Sequence, residues 1–63
     1  MDGQGLRRAR LAMGLTQQAL AEKLHMTATS VARMERGEQK IMFVTELAVR
    51  YLVLMQKQKK GEK

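Results

Sequence analysis

The stretch that decides the fold is residues 17–34, which read QQALAEKLHMTATSVARM. Thr16 and Thr27 each stand where a side-chain oxygen can cap the start of a helix, which predicts helices at about 17–25 and 28–36. Apolar residues recur at helical spacing after each threonine: Leu20, Ala21, Leu24, Val31 and Met34. Helices of about nine residues are too short to be stable alone in water, so the two need each other's apolar faces.

The corner between these helices has requirements of its own. Ala21 must be small because the helices approach closely there, and a longer side chain would push them apart. Met26 supplies an apolar residue in the turn that seals the corner. The combination predicts two helices that cross at a steep angle after a turn of about three or four residues.

Upstream of this pair the spacing predicts one more helix. Leu6, Arg10 and Met13 are spaced to share one of its faces. Gly14 should end it, since glycine is the usual residue just past a helix C-terminus. Ahead of it, the glycine-rich residues 1–5 are expected to form a flexible N-terminal arm.

Downstream, Gly37 should end the second capped helix, and a last helix is predicted over 45–55 or beyond. Residues 41–43 fit either a short helical turn or an extended entry. The inward stripe of the last helix is expected to consist of Leu47, Ala48, Tyr51, Leu52 and Met55. Three apolar residues lie off that stripe: Val49, Val53 and Leu54. We expect them to form a homodimer interface, the other interpretation being that they cover the underside of the same domain.

Composition narrows the class of function. The 63 residues carry 12 Lys and Arg against 6 Asp and Glu, and the net charge of +6 favours nucleic acid first and an anionic membrane surface second. The chain has no cysteine and one histidine, so no disulfide can form and neither a metal site nor a cofactor is expected. So small a chain leaves little room for a substrate pocket, and no apolar run spans a membrane. We expect a non-enzymatic, cytoplasmic protein.

The C-terminal end is basic. Residues 56–63 are rich in Lys and Gln and are expected to form a tail beyond the folded domain at 6–55. The tail fits two interpretations equally, a solubilising end and a source of extra nonspecific affinity for nucleic acid.

The whole pattern resembles the helix-turn-helix of the phage Cro and cI repressors, the XRE family. The resemblance covers about residues 6–54 and rests on two stretches, LTQQALA at 15–21 and VARMERG at 31–37. It implies an all-α, lambda-repressor-like bundle of four or five helices. In that family an arginine of the first helix pairs with a glutamate near the end of the second capped helix, and Arg10 and Glu35 occupy those places here as a structural ion pair.

The chain departs from the family pattern at two points. His25 stands in the turn where family members usually have glycine, at a position that tends to need a positive φ and costs another residue about 1 kcal/mol. No proline follows the second capped helix, which leaves the path of residues 38–44 open.

The resemblance also implies binding of double-stranded DNA, with helix 28–36 in the major groove. Base contacts are then expected from the side opposite Val31 and Met34, namely Ala28, Thr29, Ala32 and Arg33. Arg33 can grip a guanine edge with two hydrogen bonds, and Thr29 can hydrogen-bond a base or contact a thymine methyl group. Phosphate contacts are expected from Gln17, Gln18, Thr27, Arg36, Gln39 and Lys40.

These inferences predict a dimeric transcriptional repressor that binds a palindromic operator. The protein is expected to associate with the nucleoid through DNA binding and to take no small-molecule ligand. The first alternative is an antitoxin-type module that binds a toxin and autoregulates its operon. The second is a nonspecific RNA or nucleoid binder, which is disfavoured because Phe43 and Tyr51 are the only aromatic residues available for stacking on bases.

Overall fold

The computed structural model describes residues 1–61, with side chains through Gln56. Four helices follow one another: α1 Gly3–Ala12, α2 Gln17–Leu24, α3 Ala28–Arg36 and α4 Phe43–Gly61. Residues 1–61 contain no β-strand. The prediction of a small all-α bundle with a helix-turn-helix is confirmed. Residues 62 and 63, the last of the expected basic tail, lie outside the described part of the chain.

The first three helices begin at capping side chains. The side-chain oxygens of Asp2, Thr16 and Thr27 accept hydrogen bonds from the backbone N–H three residues further on, at 2.7, 3.0 and 3.2 Å respectively. Each bond satisfies a donor that the first turn of a helix cannot satisfy within itself. The starts of α2 and α3 therefore fall where the two threonines predicted them.

The start of α1 differs from the expectation. The helix begins at Gly3, so residues 3–5, expected in a flexible arm, are helical. A Cβ atom at Gly3 would lie 2.5 Å from the carbonyl oxygens of both Met34 and Glu35. Glycine is poor at holding a helix, but here its missing side chain lets the start of α1 lie directly against the last turn of α3. The cap at Asp2 and this close packing together extend the helix.

The core lies where the four helices meet. Its buried apolar residues are Leu6, Met13, Leu20, Ala21, Val31, Met34 and Val49. All but Val49 belong to the inward faces predicted for the first three helices. Ala21 is fully buried, as the close approach of α2 and α3 requires.

α4 presents a different face to the core from the one that its spacing predicted. Val49 is fully buried, and Leu52 and Val53 pack beside it. Three residues of the expected inward stripe are exposed instead: Leu47, Tyr51 and Met55. Ala48 and Leu52 of that stripe are partly buried as predicted, and the other three are not. Residues 47–55 are apolar almost all round the helix, so their spacing does not determine which face turns inward.

The expected dimer interface needs the same correction. Val49 cannot take part because it is fully buried within one chain, and Val53 is committed in part to the same core. Of the three residues expected there, Leu54 is exposed. An association surface on α4 must therefore lie on the side of the helix opposite Val49.

Candidate nucleic-acid interface

A network of polar side chains joins the first three helices at the C-terminal end of α3. Arg10 donates from Nε to Glu35 Oε2 at 2.6 Å and from Nη2 to Oε1 at 3.2 Å. The same guanidinium donates from Nη1 to the carbonyl oxygen of Leu15 at 3.0 Å, and Gln17 Nε2 donates to Glu35 Oε1 at 3.1 Å. The Arg10 and Glu35 side chains are 11% and 5% exposed. The network fixes α1 and the start of α2 relative to α3.

The charge state of this network follows from its hydrogen bonds. Burial raises the pKa of Glu35, but the hydrogen bonds from Arg10 and Gln17 and the charges of Arg10 and Arg7 outweigh it. The net result is a pKa below the ordinary glutamate value, so the carboxylate is ionised at neutral pH. A buried pair of this kind is better evidence for a fixed geometry than for added stability. What it fixes here is the orientation of α3.

The side of α3 away from the core is open to solvent. Thr29, Arg33 and Arg36 are exposed at spacings of i, i+4 and i+7, while Ala28 and Ala32 are partly buried beside them. We refer to these five residues as the α3 face. Within the described residues Arg33 forms no salt bridge. The α3 face thus carries two exposed arginines on a helix whose position is fixed by the hydrogen bonds of Arg10 and Gln17 to Glu35.

A family model described as helix-turn-helix matches residues 6–44, which is more than half of the chain. The protein belongs to the XRE-type helix-turn-helix family. Its type is that of a DNA-binding regulator, with α2 and α3 as the two helices of the motif. Neither a curated protein nor a solved structure matches the chain significantly.

Three of the residues that are expected to contact DNA phosphates make hydrogen bonds within this helix-turn-helix protein. Gln17 donates to Glu35 in the network, and Gln18 Nε2 donates to Glu22 Oε2 at 3.2 Å. Thr27 is occupied as the cap of α3. All three lie at or just before the first turn of α2 or α3, where backbone N–H groups also favour an anion. Their hydrogen bonds set where these side chains stand before any DNA is bound.

The remaining expected phosphate contacts lie at the end of α3 and in the loop after it. Gln39 and Lys40 are exposed in that loop. Arg36 Nε donates to Glu38 Oε2 at 3.0 Å, and Arg36 Nη2 donates to Glu38 Oε1 at 3.2 Å. Sequence reasoning missed Glu38. The one signal in the sequence was a glutamate directly after the glycine expected to end the helix. That the left-handed backbone of Gly37 (φ 81°) returns Glu38 to Arg36 is seen only in the structure.

Residues 1–61 contain neither a membrane-spanning helix nor a cluster of metal-ligating side chains. No helix there is long and apolar enough to cross a membrane. No group of three or more His, Cys, Asp or Glu side chains in that range could hold a metal ion.

Proposed function

We propose that the protein is a sequence-specific transcriptional repressor that binds double-stranded DNA as a homodimer with α3 in the major groove. The observation that carries the proposal is the α3 face, where two exposed arginines and Thr29 stand beside partly buried alanines on a helix oriented by the Arg10–Glu35 pair. A major groove is wide enough for one α-helix, and short side chains let the helix backbone approach the bases.

Base readout is assigned mainly to Arg33. Its side chain is exposed and forms no salt bridge within the described residues, and two parallel N–H groups fit the O6 and N7 atoms of guanine. Thr29, one turn earlier on the same face, is placed for a hydrogen bond or for a thymine methyl group. Ala28 and Ala32 offer apolar contact alone. With one strong base-reading side chain, the shape of the DNA should contribute to specificity as well.

Phosphate binding is assigned to the groups that border the α3 face. Arg36, Gln39 and Lys40 are exposed at and beyond its C-terminal end, and Gln17, Gln18 and Thr27 stand at the starts of α2 and α3. Such contacts position a protein on the duplex without reading its sequence. We propose repression, and not activation, because a protein that occupies a promoter needs no further contact to block transcription.

Homodimer formation is assigned to the exposed side of α4. Val44, Leu47, Tyr51 and Leu54 are 75%, 48%, 59% and 52% exposed. Their spacing of three, four and three residues is that of the a and d positions of a coiled coil, and we call them the α4 stripe. Val49 faces the core from the opposite side of the helix. A contiguous apolar surface of this kind is uncommon on a monomer.

A second copy of the chain is the occupant that this stripe suits best. A heptad-spaced helix face is complementary to itself, and a two-fold axis brings the same residues of both copies together. A dimer of this kind would present two α3 faces to one side of a duplex. Half-sites about 34 Å apart, one turn of DNA, would then follow from the symmetry.

The test is a selection from random duplex DNA, followed by binding of the selected and a random duplex to the wild type and to two arginine variants. We expect a palindromic motif. Arg33→Ala should lose about 1–3 kcal/mol of preference for the selected sequence and keep most of its affinity for the random one. The matched control is Arg8→Ala, which removes an exposed arginine of α1.

The outcomes separate the proposed roles. Arg8→Ala should leave the preference intact while weakening both duplexes slightly. If Arg33→Ala weakened both duplexes equally, the base-reading role of Arg33 would be wrong. If the wild type enriched no motif but still retained DNA, sequence-specific repression would be wrong and binding would rest on net charge.

A further inference from the structure

The turn after α3 brings an acidic side chain onto the arginine at the end of that helix. Glu38 N–H donates to the carbonyl oxygen of Arg33 at 2.8 Å, and Gly37 N–H donates to that of Met34 at 3.2 Å. These backbone bonds close the helix end and fix the position of residue 38. The contact between the Glu38 carboxylate and the Arg36 guanidinium, through both oxygens, is thus a product of the turn.

We infer that Glu38 is an intramolecular competitor for the DNA phosphate that Arg36 would bind, and that it lowers the affinity of the protein for every DNA sequence. The inference rests on the proposed function, which places the α3 face and the following loop against a duplex. It adds to that function a residue that limits binding strength.

The chemistry of the contact supports this role. An arginine binds carboxylate and phosphate with the same fork of two N–H groups, so one guanidinium fork serves either the Glu38 carboxylate or a phosphate. In the structure both N–H groups used, Nε and Nη2, point to Glu38. The Arg36 and Glu38 side chains are 58% and 56% exposed, so a phosphate can reach the pair.

Glu38 is an exposed acidic residue in a segment whose other exposed charges are positive. Residues 28–40 include two acidic side chains, and one of them, Glu35, is turned inward onto Arg10. Glu38 is the other, and it lies among the exposed cations Arg33, Arg36 and Lys40. The hydrogen bond from Arg36 and its charge hold the pKa of Glu38 below the ordinary glutamate value. The competitor is therefore fully charged at neutral pH.

An exposed ion pair is weak, so phosphate can replace the carboxylate without a large barrier. Replacement still leaves a negative side chain beside the phosphate. Because phosphates carry no sequence information, the penalty should be equal for selected and random duplexes. Glu38 would thereby set how strongly the protein holds DNA without changing which sequence it prefers.

The experiment measures the dissociation constant for a short duplex of random sequence at several salt concentrations. Glu38→Gln keeps the size of the side chain and removes its charge. If Arg36 gains one phosphate contact, the slope of log affinity against log salt should steepen by about 0.9. The ratio of the variant's affinity to that of the wild type should then be about 3.5-fold larger at 50 mM than at 200 mM salt.

Two controls distinguish competition from a change in net charge. Glu22→Gln alters the net charge equally at an exposed glutamate of α2. Its amide oxygen can still accept the hydrogen bond from Gln18, so the salt slope should be unchanged. Glu38→Gln in an Arg36→Ala background should give a smaller gain in affinity and no steepening of the salt slope, because a negative charge beside the phosphate is removed but the guanidinium that it would release is missing. Circular dichroism should show that all variants are folded.

Three results would overturn the inference. These are an unchanged slope for Glu38→Gln, an equal steepening for Glu22→Gln, and a full gain for Glu38→Gln without Arg36. In each case a wild type that binds duplex DNA would leave the proposed function in place. A wild type that binds no duplex even at low salt would overturn the proposed function and this inference together.

Discussion

His25 shows how one residue closes the corner of the helix-turn-helix. It adopts a left-handed conformation, φ 59° and ψ 43°, at the end of α2. This conformation lets its own N–H donate to the Glu22 carbonyl oxygen at 3.3 Å and the Met26 N–H donate to that of Ala21 at 2.9 Å. Glycine normally takes this position because a Cβ atom makes the left-handed region strained. The histidine therefore carries a strain that the corner imposes.

His25→Gly should raise the free energy of unfolding by up to about 1 kcal/mol, since relief of the strain exceeds the added entropy of the unfolded chain. Chemical denaturation followed by circular dichroism measures this change. His25→Ala is the matched control, because it removes the imidazole and retains the Cβ atom. Equal stabilisation by both variants would show that the imidazole, and not the backbone, is responsible.

Glu35 gives the stability of the protein a dependence on pH. Its pKa in the folded chain lies below the ordinary value, so at low pH the unfolded chain takes up a proton that the folded chain resists. The stability that ionised Glu35 contributes is fully present above the ordinary glutamate pKa. It is lost as the pH falls through the lowered pKa of Glu35 in the folded chain.

Glu35→Gln should destabilise the protein at neutral pH by about 2 kcal/mol, because the buried Arg10 guanidinium loses its countercharge and one of its two acceptor oxygens. The loss of stability on acidification should also be shallower than in the wild type. Denaturant unfolding at a series of pH values from neutral downward tests both expectations. Parallel curves for the two proteins would show that other groups produce the acid dependence.

At the scale of elements, the contact between α1 and α3 depends on a missing side chain. Gly3→Ala would place a Cβ atom 2.5 Å from two carbonyl oxygens of α3, and a backbone cannot move away as the end of a side chain can. Alanine ordinarily stabilises a helix relative to glycine. We expect the opposite sign here, with a loss of about 1–3 kcal/mol from overpacking.

Gly5→Ala is the control for this prediction. A Cβ atom there would meet the capping Oδ1 of Asp2 at 3.1 Å and a side-chain carbon of Met1 at 3.4 Å, and both belong to side chains that can give by a few tenths of an ångström. Its effect on the thermal midpoint should be small and in the direction of the helix propensity. A neutral or stabilising Gly3→Ala would contradict the close contact described between α1 and α3.

The elements differ in how far the sequence predicts them, and the reason is local. α2 and α3 each have a capping threonine, a defined end and a polar side, so both their bounds and their inward residues followed from the sequence. The exposure of Thr29, Arg33 and Arg36 followed in turn, because Val31 and Met34 fixed the rotation of α3.

α4 and the Arg36–Glu38 contact could not be predicted in the same way. α4 has apolar residues on both sides, and the side that turns inward is decided by the shape of the other three helices. Glu38 meets Arg36 through the backbone turn at Gly37, and helical periodicity contains no information on such a turn. In both cases the missing information is three-dimensional.

At the scale of the whole molecule, α4 has two apolar sides and one of them is unused within a single chain. Leu54→Glu should therefore weaken self-association by at least about tenfold, since it buries a charge in the proposed interface. Sedimentation equilibrium measures this directly. Leu11→Glu is a closely matched control, because Leu11 is 55% exposed and Leu54 is 52% exposed.

The control should keep the association of the wild type. A monomeric wild type would contradict the proposed homodimer, and a Leu54→Glu variant that associates normally would exclude the α4 stripe as its interface. Both substitutions introduce a charge at an exposed site, so neither should unfold the chain.

The same stripe determines what an optical experiment on this protein can detect. Tyr51 is the single tyrosine and the chain contains no tryptophan, so nearly all intrinsic fluorescence comes from one ring on α4. That ring is 59% exposed, outside the core. Its emission should respond when something covers α4 and only weakly when the core melts. Fluorescence and circular dichroism should thus follow two different events, assembly and unfolding, in the same sample.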